Sequence, residues 1–222
     1  AALAKKELTA GICIGLLLFK PQFALPLTGL YMLSGRWRVC LGATLTALLL
    51  YVVSVLVSGP DWIVEWYNYA AWVADADVGI NYDKSLSFTV FFQAILGWGN
   101  HFALISGWTL SLITAIFLAY IWAAGGRTAD LTAQMAIAVA ALVLIPPHVN
   151  YYDLGIILFT CLAIAHTETG TWTPLFIVWL FGFAQPASVF FGFSVLFPVA
   201  MIVMIWSVRI LYRPATQVVR TQ

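Results

Sequence analysis

Residues 39–57 and 102–123 run for 19 and 22 positions without a charged side chain. As helices rising about 1.5 Å per residue, both are long enough to cross a hydrocarbon layer of about 30 Å. A small water-soluble domain has no interior large enough to hide two such rods. The remainder of the 222 residues points the same way, at 63% hydrophobic and 9% charged, against about 45–50% apolar and 25% charged in ordinary soluble domains. The chain therefore reads as an all-α, polytopic membrane protein, and its apolar content excludes disorder. With 10 Lys and Arg against 9 Asp and Glu, net charge +1, it carries no basic field for a nucleic acid partner.

Residues 131–146 and 191–208 are further uncharged runs, and 8–33, 151–165 and 174–184 are shorter or interrupted ones. Placing Arg36 and Arg38 on the cytoplasmic side sends 39–57 outward, 102–123 inward and 131–146 outward. After two short passes the tail returns inward. Arg127, Arg209, Arg213 and Arg220 then fall inside. Asp61, Glu65, Asp75, Asp77, Asp83 and Asp153 fall outside, with Lys84 the one basic residue of the outer loop. This is the asymmetry by which Lys and Arg orient spans. The chain is expected to form one multi-pass domain of the cell membrane, 1–222, with its C-terminus cytoplasmic and 58–101 an extracytoplasmic loop.

That loop carries Trp62, Trp66, Tyr67, Tyr69 and Trp72 beside its acids, aromatics of the kind that settle at a membrane interface. Residues 62–72 are expected to form an amphipathic surface helix. A short apolar piece, 86–98, follows, with Ser85 placed to cap it.

Segment 8–33 has two solutions, divided by Lys20 and Pro21. One kinked span would leave Lys5 and Lys6 outside, whereas a hairpin turning at Lys20 would bring them inside, as the charge rule prefers. Arms of about a dozen residues rise only about 18 Å, so the hairpin would be re-entrant and covered by neighbouring helices.

Lys20 stands out because an ammonium within an apolar segment costs roughly 2.5–3.5 kcal/mol on insertion scales and so should face protein or a water cavity. Pro21 removes a backbone donor at the same place. Snorkelling to an interface is the bland alternative for Lys20, and Gln22 is a weaker companion. Between two apolar runs lies a second polar knot. There Pro146 and Pro147 end one helix and Asp153 stands where an acid meets the unpaired amides of the next. Capping accounts for Asp153 alone. It does not account for His148, Asn150 and Tyr152, hydrogen-bonding side chains able to grip a sugar or a phosphate.

Asp75 and Asp77 spell D-x-D, a pattern that can hold a divalent metal but is common in solvated loops. His101, His148 and His166 have no ligand spacing, and Cys13, Cys40 and Cys161 read as small apolar residues. No metal or cofactor is expected. Nucleotide-binding and serine-hydrolase motifs are missing from the sequence.

Gly11 to Gln22 (GICIGLLLFKPQ) followed by Gly35, Arg36, Trp37 and Arg38 resembles the Gly-rich helix, Lys-Pro-Gln and basic turn of glycosyltransferase family 87. Residues 81–86 (NYDKSL) resemble that family's Asn-Gln-Ser-Leu lead into a short helix, with an insertion. Residues 147–154 (PHVNYYDL) resemble its Pro and Tyr-Asp-Leu at the start of a late helix. The resemblance implies a GT-C fold and a polyprenyl-phosphate-mannose-dependent mannosyltransferase, acting on the outer face on a glycan or glycolipid acceptor. It implies that Lys20 and Gln22, with His148, Asn150, Tyr152 and Asp153, bind donor phosphate and substrate. In GT-C enzymes the catalytic base lies in the first outer loop. The chain reads as the C-terminal part of a longer protein, with that base upstream and the fragment alone inactive. The rival reading is a transporter or flippase subunit gated at Lys20 and Pro21.

Overall fold

The computed structural model describes residues 2–128, 130–167 and 171–211. In chain order its helices are α1 (Ala2–Leu16), α2 (Pro21–Leu33), α3 (Trp37–Ser58), α4 (Trp62–Asn81), α5 (Phe88–Leu96) and α6 (His101–Gly125). They continue with α7 (Leu131–Leu142), α8 (Ile157–Ala165), α9 (Thr173–Ala184), α10 (Ser188–Phe191) and α11 (Leu196–Leu211). Short 3-10 turns occupy Leu17–Phe19, Tyr82–Lys84, Tyr151–Ile156 and Gln185–Ala187. Among the described residues there is no strand, only one isolated bridge between Ser85 and Asn150. The all-α expectation holds. Trp37–Ser58, His101–Gly125 and Thr173–Phe191 are long and apolar enough to cross a membrane. The run 131–146 yields a helix that stops at Leu142, and 191–208 yields the 16 residues of α11.

Two compact units form, 1–76 with 119–128 and 77–118 with 129–222. In the first, α1 lies directly on α3. A β-carbon on Gly11 would run into the Val39 carbonyl and Gly42, and one on Gly15 into Ala43 and Thr46. Four positions along α1 thus match four along α3, so the two helices run parallel. Their backbones approach closely because only small residues stand between them. Opposite this seam α3 exposes Leu41, Leu45, Leu48, Val52 and Leu56. Both faces are apolar and differ in size rather than polarity, as expected of a helix with lipid on one side.

A tight turn at Ser34 and Gly35 (φ 72°) joins α2 to α3. Cys40 Sγ donates to the Thr28 carbonyl at 3.6 Å, so α2 runs antiparallel to α3 and therefore to α1. Segment 8–33 is the hairpin, not the kinked span. Its arm α2 has 13 residues, about 20 Å of rise. Arg127 Nη2 donates to Glu7 Oε1 at 2.9 Å and its Nη1 to the Gly35 carbonyl at 3.1 Å, while Arg36 Nη2 donates to the Arg127 carbonyl at 3.2 Å. The start of α1, the α2-to-α3 turn and Arg127 are held together, so Lys5, Lys6, Arg36, Arg38 and Arg127 gather at one end.

In the second unit α7 is the centre. Nearly every residue from Ala133 to Leu142 is buried, with α8 and α11 packed on it and α9 packed on both of those. Thr160 Oγ1 donates from α8 to the Ala136 carbonyl of α7 at 2.6 Å. Phe91 of α5 stacks on Phe197 of α11 at 3.9 Å between ring centroids. Gly107 of α6 meets the backbone of Thr89, where a β-carbon would not fit.

The expected surface helix 62–72 is longer, continuing as α4 to Asn81. Trp66, Tyr67, Tyr69 and Trp72 are exposed along it. Asp75 and Asp77 fall within α4 rather than in a loop, and their side chains lie outside the described residues, as do Arg213 and Arg220.

Candidate functional site

Lys20 sits where α1 gives way to α2. Pro21 has no N–H to offer the Leu17 carbonyl, which instead accepts from Lys20 N at 2.8 Å. The Lys20 carbonyl in turn accepts from Phe23 and Ala24. Its backbone (φ −126°, ψ 76°) is out of the helical region, and Pro21 occupies the first position of α2. Lys20 and Gln22 are both half-buried. Pro26 inside α2 leaves the Gln22 carbonyl without its helical donor. With Gly15 level with Ala43 and Thr46, Lys20 comes about level with the middle of α3, far from the arginine end of this unit.

The second unit brings two of the sequence segments together. Pro146 and Pro147 cannot carry α7 onward, and in an apolar setting the carbonyls of the non-helical segment that follows Leu142 must find donors elsewhere. Phe88 N donates to Leu144 O at 2.9 Å, Ser111 Oγ to Ile145 O at 3.1 Å, Ser87 Oγ to Pro147 O at 3.4 Å and Leu86 N to Val149 O at 2.8 Å. Ser85 and Asn150 form an antiparallel bridge, and Ser85 Oγ also donates to Val149 O at 3.3 Å. Thus residues 85–88 lie along residues 144–150 although about sixty positions separate them. Ser85, Ser87 and Thr89 link their hydroxyls in a buried row, each 3.2 Å from the next. Ser87, not Ser85, caps α5, accepting from Val90 N at 3.2 Å; Ser85 is drawn off by Val149.

Of the expected site residues, His148, Asn150, Tyr152 and Asp153 fall in this second unit and Lys20 and Gln22 in the first. Asp153 opens the 3-10 turn Tyr151–Ile156 ahead of α8, and its Oδ2 accepts from Asn150 N at 3.3 Å. The capping role is therefore real. Asn150 Nδ2 donates to Tyr152 Oη at 3.2 Å. Asn150 and Asp153 are buried, His148 is half-buried with its Nδ1 turned inward, and Tyr152 is exposed.

Sequence reasoning missed three participants. Asp83, read among the outer acids and within residues 81–86 but given no role of its own, is buried. Gln185 Nε2 donates to the Asp83 carbonyl at 3.3 Å, and Ser194 Oγ donates to Gln185 Oε1 at 3.0 Å. Gln185 precedes Pro186 within an apolar stretch, the same polar-then-proline signature as Lys20 with Pro21, and that signal could have found it. Glu7 carries no comparable signal in the sequence.

The family model for glycosyltransferase family 87 matches residues 1–147. The matched span takes in Lys20, Gln22 and residues 81–86 and ends just before His148. No curated protein and no solved structure matches the chain.

Proposed function

Because the chain belongs to glycosyltransferase family 87, and is thereby a membrane glycosyltransferase, we propose that it moves a hexose, mannose, from a polyprenyl-phosphate donor to a glycan or glycolipid on the extracytoplasmic face, within a GT-C fold. The observation that carries this reading is the pairing of Ser85 and Leu86 with Val149 and Asn150, which joins two of the three segments resembling the family.

In such a transfer the bond from sugar C1 to the phosphate oxygen breaks and its electron pair leaves with the polyprenyl phosphate. The acceptor oxygen bonds C1 and gives its proton to a general base. Lys20 meets the negative charge that grows on the leaving phosphate, as a preorganised cation should. Gln22 adds an amide donor beside it. His148, Asn150, Tyr152 and Asp153 position sugar or acceptor by hydrogen bonds. The apolar faces of the spans accommodate the prenyl tail. No nucleotide is required. Family membership favours transfer over the gated-transport reading.

Full-length enzyme in proteoliposomes, supplied with radiolabelled polyprenyl-phosphate mannose, should label an endogenous lipid or glycan acceptor. Labelling from a nucleotide sugar alone, with none from the lipid donor, would refute the reading.

A further inference from the structure

Asp83 is the most confined acid of the second unit's polar surface that has nothing to bind. It is 7% exposed. Among the described residues its carboxylate has no hydrogen-bond or ion-pair partner, although its own main-chain carbonyl is taken by Gln185. The neighbouring ammonium does not serve it: Lys84 Nζ donates to Asn81 Oδ1 at 3.0 Å instead. Neither carboxylate oxygen is sealed from solvent, so the little surface this residue keeps includes its unpaired acid group, held at an opening of the polar surface.

The turn that carries Asp83 is held from three directions. Gln185, itself fixed by Ser194, grips its backbone. Tyr82 packs edge-on against Trp98 at 5.9 Å between ring centroids. Ser85 bridges to Asn150. Asp83 stands two residues from that bridge on one strand and Tyr152 two residues from it on the other, and the antiparallel direction brings those two flanks to the same side. A carboxylate so restrained is held in a defined place at that opening. Solvent or a mobile side chain would not require such bracing.

From this we propose that Asp83 is a substrate-binding residue whose carboxylate accepts hydrogen bonds from sugar hydroxyls. This rests on the transferase reading above and extends it. The chemistry of the neighbours selects the ligand class. Hydroxyls and amides from Ser85, Asn150, Tyr152 and Gln185, together with one carboxylate, are a donor and acceptor set suited to a neutral polyol. A divalent cation would want several carboxylates or imidazoles, and no group of three His, Cys, Asp or Glu forms a candidate metal cluster among the described residues.

The sugar hydroxyls could belong to the donor hexose or to the acceptor glycan, and kinetics on the full-length enzyme in proteoliposomes separates them. In Asp83→Asn and Asp83→Ala, KM should rise at least about tenfold for one of the two substrates, as loss of a hydrogen bond to a charged group requires. A rise confined to the lipid-linked donor assigns Asp83 to the donor sugar, and one confined to the acceptor assigns it to the acceptor. The apparent unfolding temperature should stay unchanged, since the carboxylate makes no contact within the described residues whose loss would register. KM values within twofold of wild type for both substrates in Asp83→Asn overturn the proposal, whatever happens to stability. If wild type proves to use a nucleotide sugar, the lipid-donor reading fails, and the same KM comparison made with that donor still decides the role of Asp83.

Discussion

Arg127 and Glu7, 120 positions apart, form an ion pair at 2.9 Å in which the carboxylate side is 10% exposed and the guanidinium side 50%. This contact fixes which end of α1 meets the basic turn and so decides the direction of the whole hairpin. The remaining bonds of Arg127, to Gly35, and of Arg36, to Arg127, make the joint a small network.

Arg127→Ala should strand the buried Glu7 carboxylate and cost about 1–2 kcal/mol, discounted from a fully buried pair because the arginine is half exposed. Adding Glu7→Gln should recover part of that loss. Thermal unfolding of the two single variants and the double variant in detergent measures the coupling; strict additivity would show that the pair contributes nothing.

Gly11→Ala should separate α1 from α3, because the new methyl group meets the rigid backbone at Val39 and Gly42. Overpacking of this kind costs about 1–3 kcal/mol. Gly29→Ala, where nothing lies within 4 Å of the added carbon, should be neutral or slightly stabilising. Unfolding temperatures of the two variants, compared side by side, test the seam.

Lys20→Ala should lower sugar transfer at least about tenfold, equivalent to about 1.4 kcal/mol of transition-state stabilisation. Insertion and folding should be retained, and Lys20→Arg should keep part of the activity. The assay is transfer from the lipid-linked donor in proteoliposomes, normalised to folded protein. Wild-type activity in Lys20→Ala would remove this residue from the mechanism.

Gln185→Ala should leave the Asp83 carbonyl and the Ser194 hydroxyl without their partner in a buried place, at a cost of about 1–3 kcal/mol. Denaturant titration should register that loss.

Asp61 follows the far end of α3, while Thr128 adjoins Arg127 at its basic end. Both are exposed. With Cys13, Cys40 and Cys161 replaced, Asp61→Cys should react with an impermeant thiol reagent from outside intact cells and Thr128→Cys only after permeabilisation. The reverse pattern would invert the orientation.

The sequence alone determined the class of fold, two of the three long apolar helices, the break at Lys20 and Pro21 and the end of the helix before Pro146. All of these depend on apolar run length or on the missing proline N–H, properties local to a few residues. The hairpin was legible as the better of two solutions, since the charges at Lys5 and Lys6 favoured it, but Glu7 and Arg127 settled it from opposite parts of the chain. Tertiary structure decided the rest. Two prolines announce that the helix will end, yet nothing in their spacing says that Ser87, Phe88 and Ser111 supply donors to the carbonyls beyond it. Nor does an acid in a polar turn reveal that Gln185, 102 positions away, will clamp its backbone. In an apolar interior every backbone polar group must be satisfied, and which distant donor satisfies it depends on how the helices pack.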